Sequence, residues 1–156
     1  MSKGVDRLCD QEVAHCVSLP IRTRADAVTF AAVVRDLVSR HGGTRRQAAE
    51  AATAAAEMVQ NIVTHGGASG DASVWFEGDL LYVRAQDRGP GLPDPEALLV
   101  GSAARRARGL PGGLGLGEGG AALARLMDRV IVGPNDERGL VVLACKRVSR
   151  EGVFTS

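Results

Sequence analysis

The stretch from residue 44 to about 64 constrains this chain more than any other, because its apolar residues recur at the spacing of a single helix face. At about 100° per residue, Ala51, Ala52, Ala55, Met58, Val59, Ile62 and Val63 fall in one broad arc that must be buried against something else. Thr44 is placed to cap the start of this helix and Gly66-Gly67 to stop it. A helix before it covers residues 25–38, with Val28, Ala31, Ala32, Leu37 and Val38 at helical spacing and His41-Gly42-Gly43 at its end.

Two helices with one apolar face each need a second layer, and the rest of the chain supplies strands. Val17-Ser18-Leu19-Pro20-Ile21 alternates, its proline suiting a sheet edge. Residues 72–76 and 80–85 flank Glu77-Gly78-Asp79 as a hairpin. Residues 121–127 read as a short helix, and residues 130–132 and 140–145 as strands around a turn at 135–139. The fold expected is a two-layer α/β sandwich, with helices on one face of a mixed, mostly antiparallel sheet. Residues 1–16 read as a loosely ordered N-terminal arm, 17–147 as the domain and 148–156 as a C-terminal tail. Residues 92–112 hold three prolines and an arginine cluster. They read as a long loop with one helical turn near 96–100, and so long a loop in a small domain is commonly functional.

Charge and composition narrow the partners. The chain has 19 Lys+Arg against 18 Asp+Glu and 3% aromatic residues, which argues against a nucleic-acid coat held by phosphate charge or base stacking. No apolar stretch reaches the length of a membrane span and the opening residues form no signal core, so a cytoplasmic protein with no membrane partner is expected. Cys9, Cys16 and Cys145 are odd in number and lack CxxC spacing, and read as buried or idle thiols.

Three groups of residues could do chemistry. Glu57, Asn61 and His65 lie four positions apart, so each stands one turn above the last and about 40° around the axis, on the polar arc they share with Glu50. They can line a single groove, although taken alone a solvated helix face is the plainer reading. Asp87 ends a strand and is followed by Gly89 and Gly91. An ionised carboxylate only accepts hydrogen bonds and could receive an adenine amino group while glycines admit a flat ring; a plain turn uses the same residue types. Arg88 and Pro90 stand where a calcium loop needs oxygen ligands. Gly112-Gly113-Leu114-Gly115-Leu116-Gly117 precedes a helix and could bind an anion through free N–H groups. Gly115, Gly117 and Gly120 match GxGxxG, but no strand precedes them, and no Gly-Lys-Ser/Thr follows as in a Walker loop.

In that order, Glu57 with Asn61 and His65, then Asp87-Arg88-Gly89-Pro90-Gly91, then Gly113-Leu114-Gly115-Leu116-Gly117, resemble the N, G1 and G2 boxes of the GHKL (Bergerat-fold) ATPases. The resemblance covers roughly residues 17–147. The small size and Arg125-Leu126-Met127-Asp128 after the last box look most like the bacterial switch-protein serine/threonine kinases and anti-sigma-factor kinases, within that group the stressosome-type switch kinase. A histidine kinase is not expected, since no dimerising phosphoacceptor helix precedes the ATPase module.

The resemblance implies ATP and Mg²⁺ as cofactors. It implies that Asn61 gives its amide oxygen to the magnesium and that Glu57 acts as general base toward an incoming hydroxyl. Asp87 would bind the adenine amino group, Gly91 leaving room for the ring and Gly89 counted with it among the nucleotide-binding residues. Gly113, Leu114, Gly115, Leu116 and Gly117 would wrap the phosphates, with residues 92–112 as the ATP lid. Arg105, Arg106 and Arg108 are candidates for neutralising transferred charge, an exposed solubilising cluster being at least as good a reading. The implied activity is phosphorylation of a STAS-domain antagonist protein in a partner-switching stress-response or sigma-factor pathway, with a sigma factor or regulatory phosphatase as competing partner. The alternative is a nucleotide-binding anti-sigma factor or phosphatase-activating module with little or no kinase activity. A homodimer is left open. Gly139-Leu140 stands where the family usually has Gly-Thr, so the hydroxyl that commonly supports the adenine-binding aspartate is missing. Gln60 stands where a basic residue is frequent, and His65 is expected to cap carbonyls.

Overall fold

The computed structural model describes residues 16–65, 69–87, 117–134 and 139–149. Its elements are β1 (Val17–Ile21), α1 (Arg24–His41), α2 (Arg45–His65), β2 (Gly70–Glu77), β3 (Leu80–Asp87), α3 (Gly117–Leu126), β4 (Arg129–Pro134) and β5 (Leu140–Arg147). The strands form a five-stranded sheet in the order β1-β2-β3-β5-β4. All four of these ladders are antiparallel, so the mixed sheet expected has no parallel pair among the described strands. Pro20 lies on the edge strand β1, opposite Asp71, where its missing N–H costs no ladder bond on the outer side. The long loop expected at 92–112, its helical turn, and residues 1–15 and 150–156 lie outside the described residues.

Capping sets both long helices. Thr23 and Asp26 form a capping box at α1, the Thr23 N–H reaching Asp26 Oδ2 at 3.0 Å and the Arg22 N–H reaching the same oxygen at 2.8 Å. The N–H groups of Arg22 and then Thr23 hold this exposed carboxyl below the ordinary Asp range. α1 ends on Gly42 at φ 99°, with the Gly42 and Gly43 N–H groups closing on the Ser39 and Val38 carbonyls. Thr44 caps α2 with Gln47 as reciprocal partner: the Gln47 N–H meets Thr44 Oγ1 at 3.1 Å, and the Thr44 N–H meets Gln47 Oε1 at 2.9 Å. Thr44→Ala is expected to cost about 1 kcal/mol, measured as a lower urea midpoint at unchanged m-value.

The core lies between the helices and one sheet face. Phe30, Val34 and Val38 of α1, Met58 and Ile62 of α2 and Leu123 of α3 meet Ile21, Val74, Leu81, Val83, Val142 and Ala144 of the sheet. The face that α1 buries is Ala27, Phe30, Val34 and Val38. Of the stripe read from sequence, Val38 is in the core while Val28 is 70% exposed. The physical reason is size: Phe30 has far more surface to bury than the alanines at 31 and 32, and it sets the helix rotation. The two-residue loop Gly78-Asp79 joins β2 to β3, Glu77 pairing with Leu80. His41, at the end of α1, stacks on Phe76 at 3.9 Å between ring centroids and meets Asp79 Oδ1 at 2.9 Å, pinning α1 to that hairpin.

The other sheet face carries Trp75 stacked on Tyr82 at 5.5 Å and an Arg84–Asp71 ion pair at 3.3 Å. One expectation about the thiols fails: Cys16 is disulfide-bonded, while Cys145 is a free thiol. Cysteine count alone carries no information on which two sulfurs the fold brings together.

Candidate functional site

The apolar arc of α2 is buried as its periodicity requires, with Ala51, Ala52, Ala55, Met58, Val59 and Ile62 all in the interior. That orientation determines where the polar arc lies. Glu57 is half-buried on its rim and Asn61, one turn on, is buried at 6% exposure. A side-chain amide removed from water needs partners to offset its desolvation, so the burial of Asn61 departs from the solvated helix face that was the plainer reading of these residues alone. The side chain of His65 lies outside the described residues.

Asp87 ends β3 on the helix-facing side, following Leu81, Val83 and Ala85 in the period-2 alternation, and is 5% exposed. Its Oδ1 accepts the backbone N–H of Leu140 at 3.0 Å, across 53 residues of sequence. The Leu140 side chain is in the core. The aspartate therefore has a main-chain donor in place at the residue where the resemblance expects a threonine hydroxyl. Any residue but proline could supply that N–H, so no side-chain pattern could have signalled it.

Gly70 joins these two elements. It pairs with Ile21 on one side and Asp87 on the other. A Cβ placed on it would run into the Gln86 carbonyl oxygen, lie 2.8 Å from Ile62 Cγ2 of α2 and lie 3.1 Å from Asp87 Cα. The absence of a side chain at 70 is what lets the C-terminal turns of α2 close on the end of β3. Asn61 and Asp87 consequently belong to one end of the helix–sheet interface. In the sequence Gly70 reads only as part of a polar turn before the hairpin.

Gly117 is the first residue of α3, whose opening N–H groups have no intrahelical acceptor. Gly89, Gly91, Arg105, Gly113, Leu114, Gly115 and Leu116 lie outside the described residues. Among the described residues no group of three or more His, Cys, Asp or Glu side chains could hold a metal ion. No helix among them is long and apolar enough to cross a membrane.

The family described as histidine kinase-like ATPase domain matches residues 21–146. Among solved structures, the RsbU and RsbW domains of a Mycobacterium tuberculosis protein align at TM-score 0.61 and 17% identity, over 88% of this chain and 33% of that one. The SiaB–SiaC complex from Pseudomonas aeruginosa aligns at TM-score 0.62 and 17% identity, over 92% of this chain and 95% of that one. This chain thus spans about one third of the length of the first structure, and both likenesses are likenesses of fold. No curated protein matches the chain.

Proposed function

The chain belongs to the histidine kinase-like ATPase domain family, and on that premise we propose that it is a protein serine/threonine kinase, transferring phosphate from MgATP to a small STAS-domain partner in a bacterial partner-switching pathway. The observation that supports this reading is the burial of Asn61 and Asp87 on two elements, α2 and β3, that close on each other at Gly70, beside Ile62 and Asp87. The two similar structures, one a chain with RsbU and RsbW domains and the other a complex of two proteins, support a partner protein as the source of the acceptor hydroxyl. The reading places the protein in the cytoplasm, with residues 17–147 as the kinase unit.

Asp87, held by the Leu140 amide, presents an acceptor to the adenine amino group, which is a donor. Asn61 offers an amide oxygen, a hard donor suited to Mg²⁺. Asn61 would hold the ion through that oxygen, and phosphate oxygens and water would complete its shell, the habit of magnesium in nucleotide sites. Once bound, the ion neutralises charge on the phosphates. Glu57, one turn before Asn61 and only half-buried, takes the proton from the incoming hydroxyl. The hydroxyl oxygen bonds to the γ-phosphorus as the bond to the β–γ bridging oxygen breaks, leaving ADP. The N-terminus of α3 adds free N–H groups and the positive end of a helix dipole for the phosphates, and the lid arginines Arg105, Arg106 and Arg108 add charge.

Saturating MgATP is expected to raise Tm, because a ligand that binds only the folded state stabilises it by mass action. Asp87→Asn is expected to weaken MgATP binding by about 10–100-fold in calorimetry, since an amide that keeps its oxygen on the Leu140 N–H turns a donor toward the adenine amino group. A wild-type protein whose Tm ignores MgATP would exclude the nucleotide site. One observation favours a second reading, a nucleotide-ordered binding module for a sigma factor or phosphatase: Leu140 brings no hydroxyl to the adenine site. Tight partner binding that survives Asn61→Ala, with no transfer by the wild type, would select it.

A further inference from the structure

The helix-facing row of β5 runs Leu140, Val142, Ala144, Lys146, followed by Val148. Lys146 is the charged member of an otherwise apolar row, and 11% of its side chain is exposed. An ammonium is rarely carried there without partners, because its desolvation is costly. Its Nζ donates to the Leu126 carbonyl oxygen at 2.7 Å and lies 3.5 Å from Glu50 Oε1. Leu126 is the last residue of α3, where carbonyls lack intrahelical donors and the negative end of the dipole favours a cation. Glu50 is on α2. Seven residues separate it from Glu57 and eleven from Asn61, about two and three turns, so all three stand on one side of that helix. Arg46 also approaches Glu50, at 3.7 Å, but its side chain is 87% exposed, which leaves Lys146 as the sheltered partner.

We propose that Lys146 is a positioning residue: it locks the end of α3 to α2, and so holds the start of α3 at Gly117 in register with Glu57 and Asn61. The proposal rests on the nucleotide-binding reading of that site. A lysine is not needed to fill the space, since methionine has a similar volume, and Glu50, 27% exposed and 3.7 Å from Arg46, is not left as a buried unpaired charge when Lys146 is replaced. What an apolar side chain lacks is direction. A charged donor on one carbonyl and one carboxylate fixes how far α3 slides along α2, and a ten-residue helix, a rod of about 15 Å, delivers a shift at one end to the other.

Lys146→Met, Lys146→Arg and wild type are compared by melting, by backbone amide exchange without nucleotide and by calorimetric titration with MgATP. Lys146→Met is expected to hold its Tm within a few degrees, to exchange the α3 amides about tenfold faster and to bind MgATP about tenfold more weakly, while Lys146→Arg, which keeps the charge, recovers most of both losses. Wild-type exchange in α3, or undiminished MgATP affinity, in Lys146→Met overturns the proposal. Should Lys146→Met fail to fold, Glu50→Gln takes its place, because it leaves the Leu126 bond intact; a few-fold faster α3 exchange supports the proposal and an unchanged rate overturns it. If the wild type binds no MgATP, it is the nucleotide reading that falls, and α3 exchange, which needs no nucleotide, alone decides whether Lys146 holds the helix.

Discussion

Glu57→Gln is expected to slow phosphoryl transfer to the partner by about 10²–10⁴-fold while leaving MgATP affinity within a few-fold of wild type. Glutamine has the size of glutamate and keeps a polar tip, so the half-buried position on the rim of α2 accepts it without a cavity or an orphaned charge. The substitution removes only the capacity to take a proton. Asn61 and Asp87, assigned to the metal and to the adenine ring, are untouched. Single-turnover transfer from labelled MgATP and a calorimetric titration on the same preparation separate the two effects. Undiminished transfer would move the general base elsewhere; lost transfer together with lost affinity would point to a role for Glu57 in holding the nucleotide.

Gly70→Ala is expected to cost about 2–3 kcal/mol of stability, the scale of overpacking a closed interior. The new methyl group would press on the Gln86 carbonyl oxygen, and would stand 2.8 Å from Ile62 Cγ2 and 3.1 Å from Asp87 Cα. Two of those neighbours are backbone of the adjacent strand, which cannot retreat without opening the β2–β3 ladder. The Gln86 clash is relieved only by shifting β2 against β3 at this end, and the clash with Ile62 by moving that side chain, so both act to separate α2 from Asp87. Urea denaturation measures the stability loss, and weakened MgATP binding in the protein that remains folded measures the separation of the two halves of the site. Gly133→Ala is the matched control: nothing lies within 4 Å of a Cβ there, and the expected cost is about 0.5 kcal/mol or less. A Gly70→Ala protein as stable as the control would show that α2 and β3 do not depend on this close approach.

The contrast between Gly70 and Glu57 shows where sequence reading stops. Glu57 and Asn61 can be grouped as candidates from the sequence because a helix turns the interval of four residues into one groove, a rule that needs no tertiary information, while their proposed roles come from the family resemblance. Gly70 carried no such mark. Its importance comes from what lies on either side of it, Ile62 eight residues back and Asp87 seventeen ahead. Leu140 shows the same limit from another side: a missing hydroxyl could be read from the chain, but not the main-chain N–H that meets Asp87 instead. In α1 the helix itself was legible and its rotation was not, because alanines on several faces left the stripe ambiguous until Phe30 found the core.

Elements, their order and the ordered boxes of polar and glycine residues were written into the sequence, because periodicity, capping and turn chemistry act over a few residues. The tertiary structure decided the rest: which face of α1 is buried, how closely α2 approaches β3, and which buried groups meet across the fold, as Lys146 meets Leu126 and Asp87 meets Leu140. Those contacts join residues far apart in the chain. Their partners are selected only when the sheet and helices pack and unpaired buried polar groups become too costly to leave.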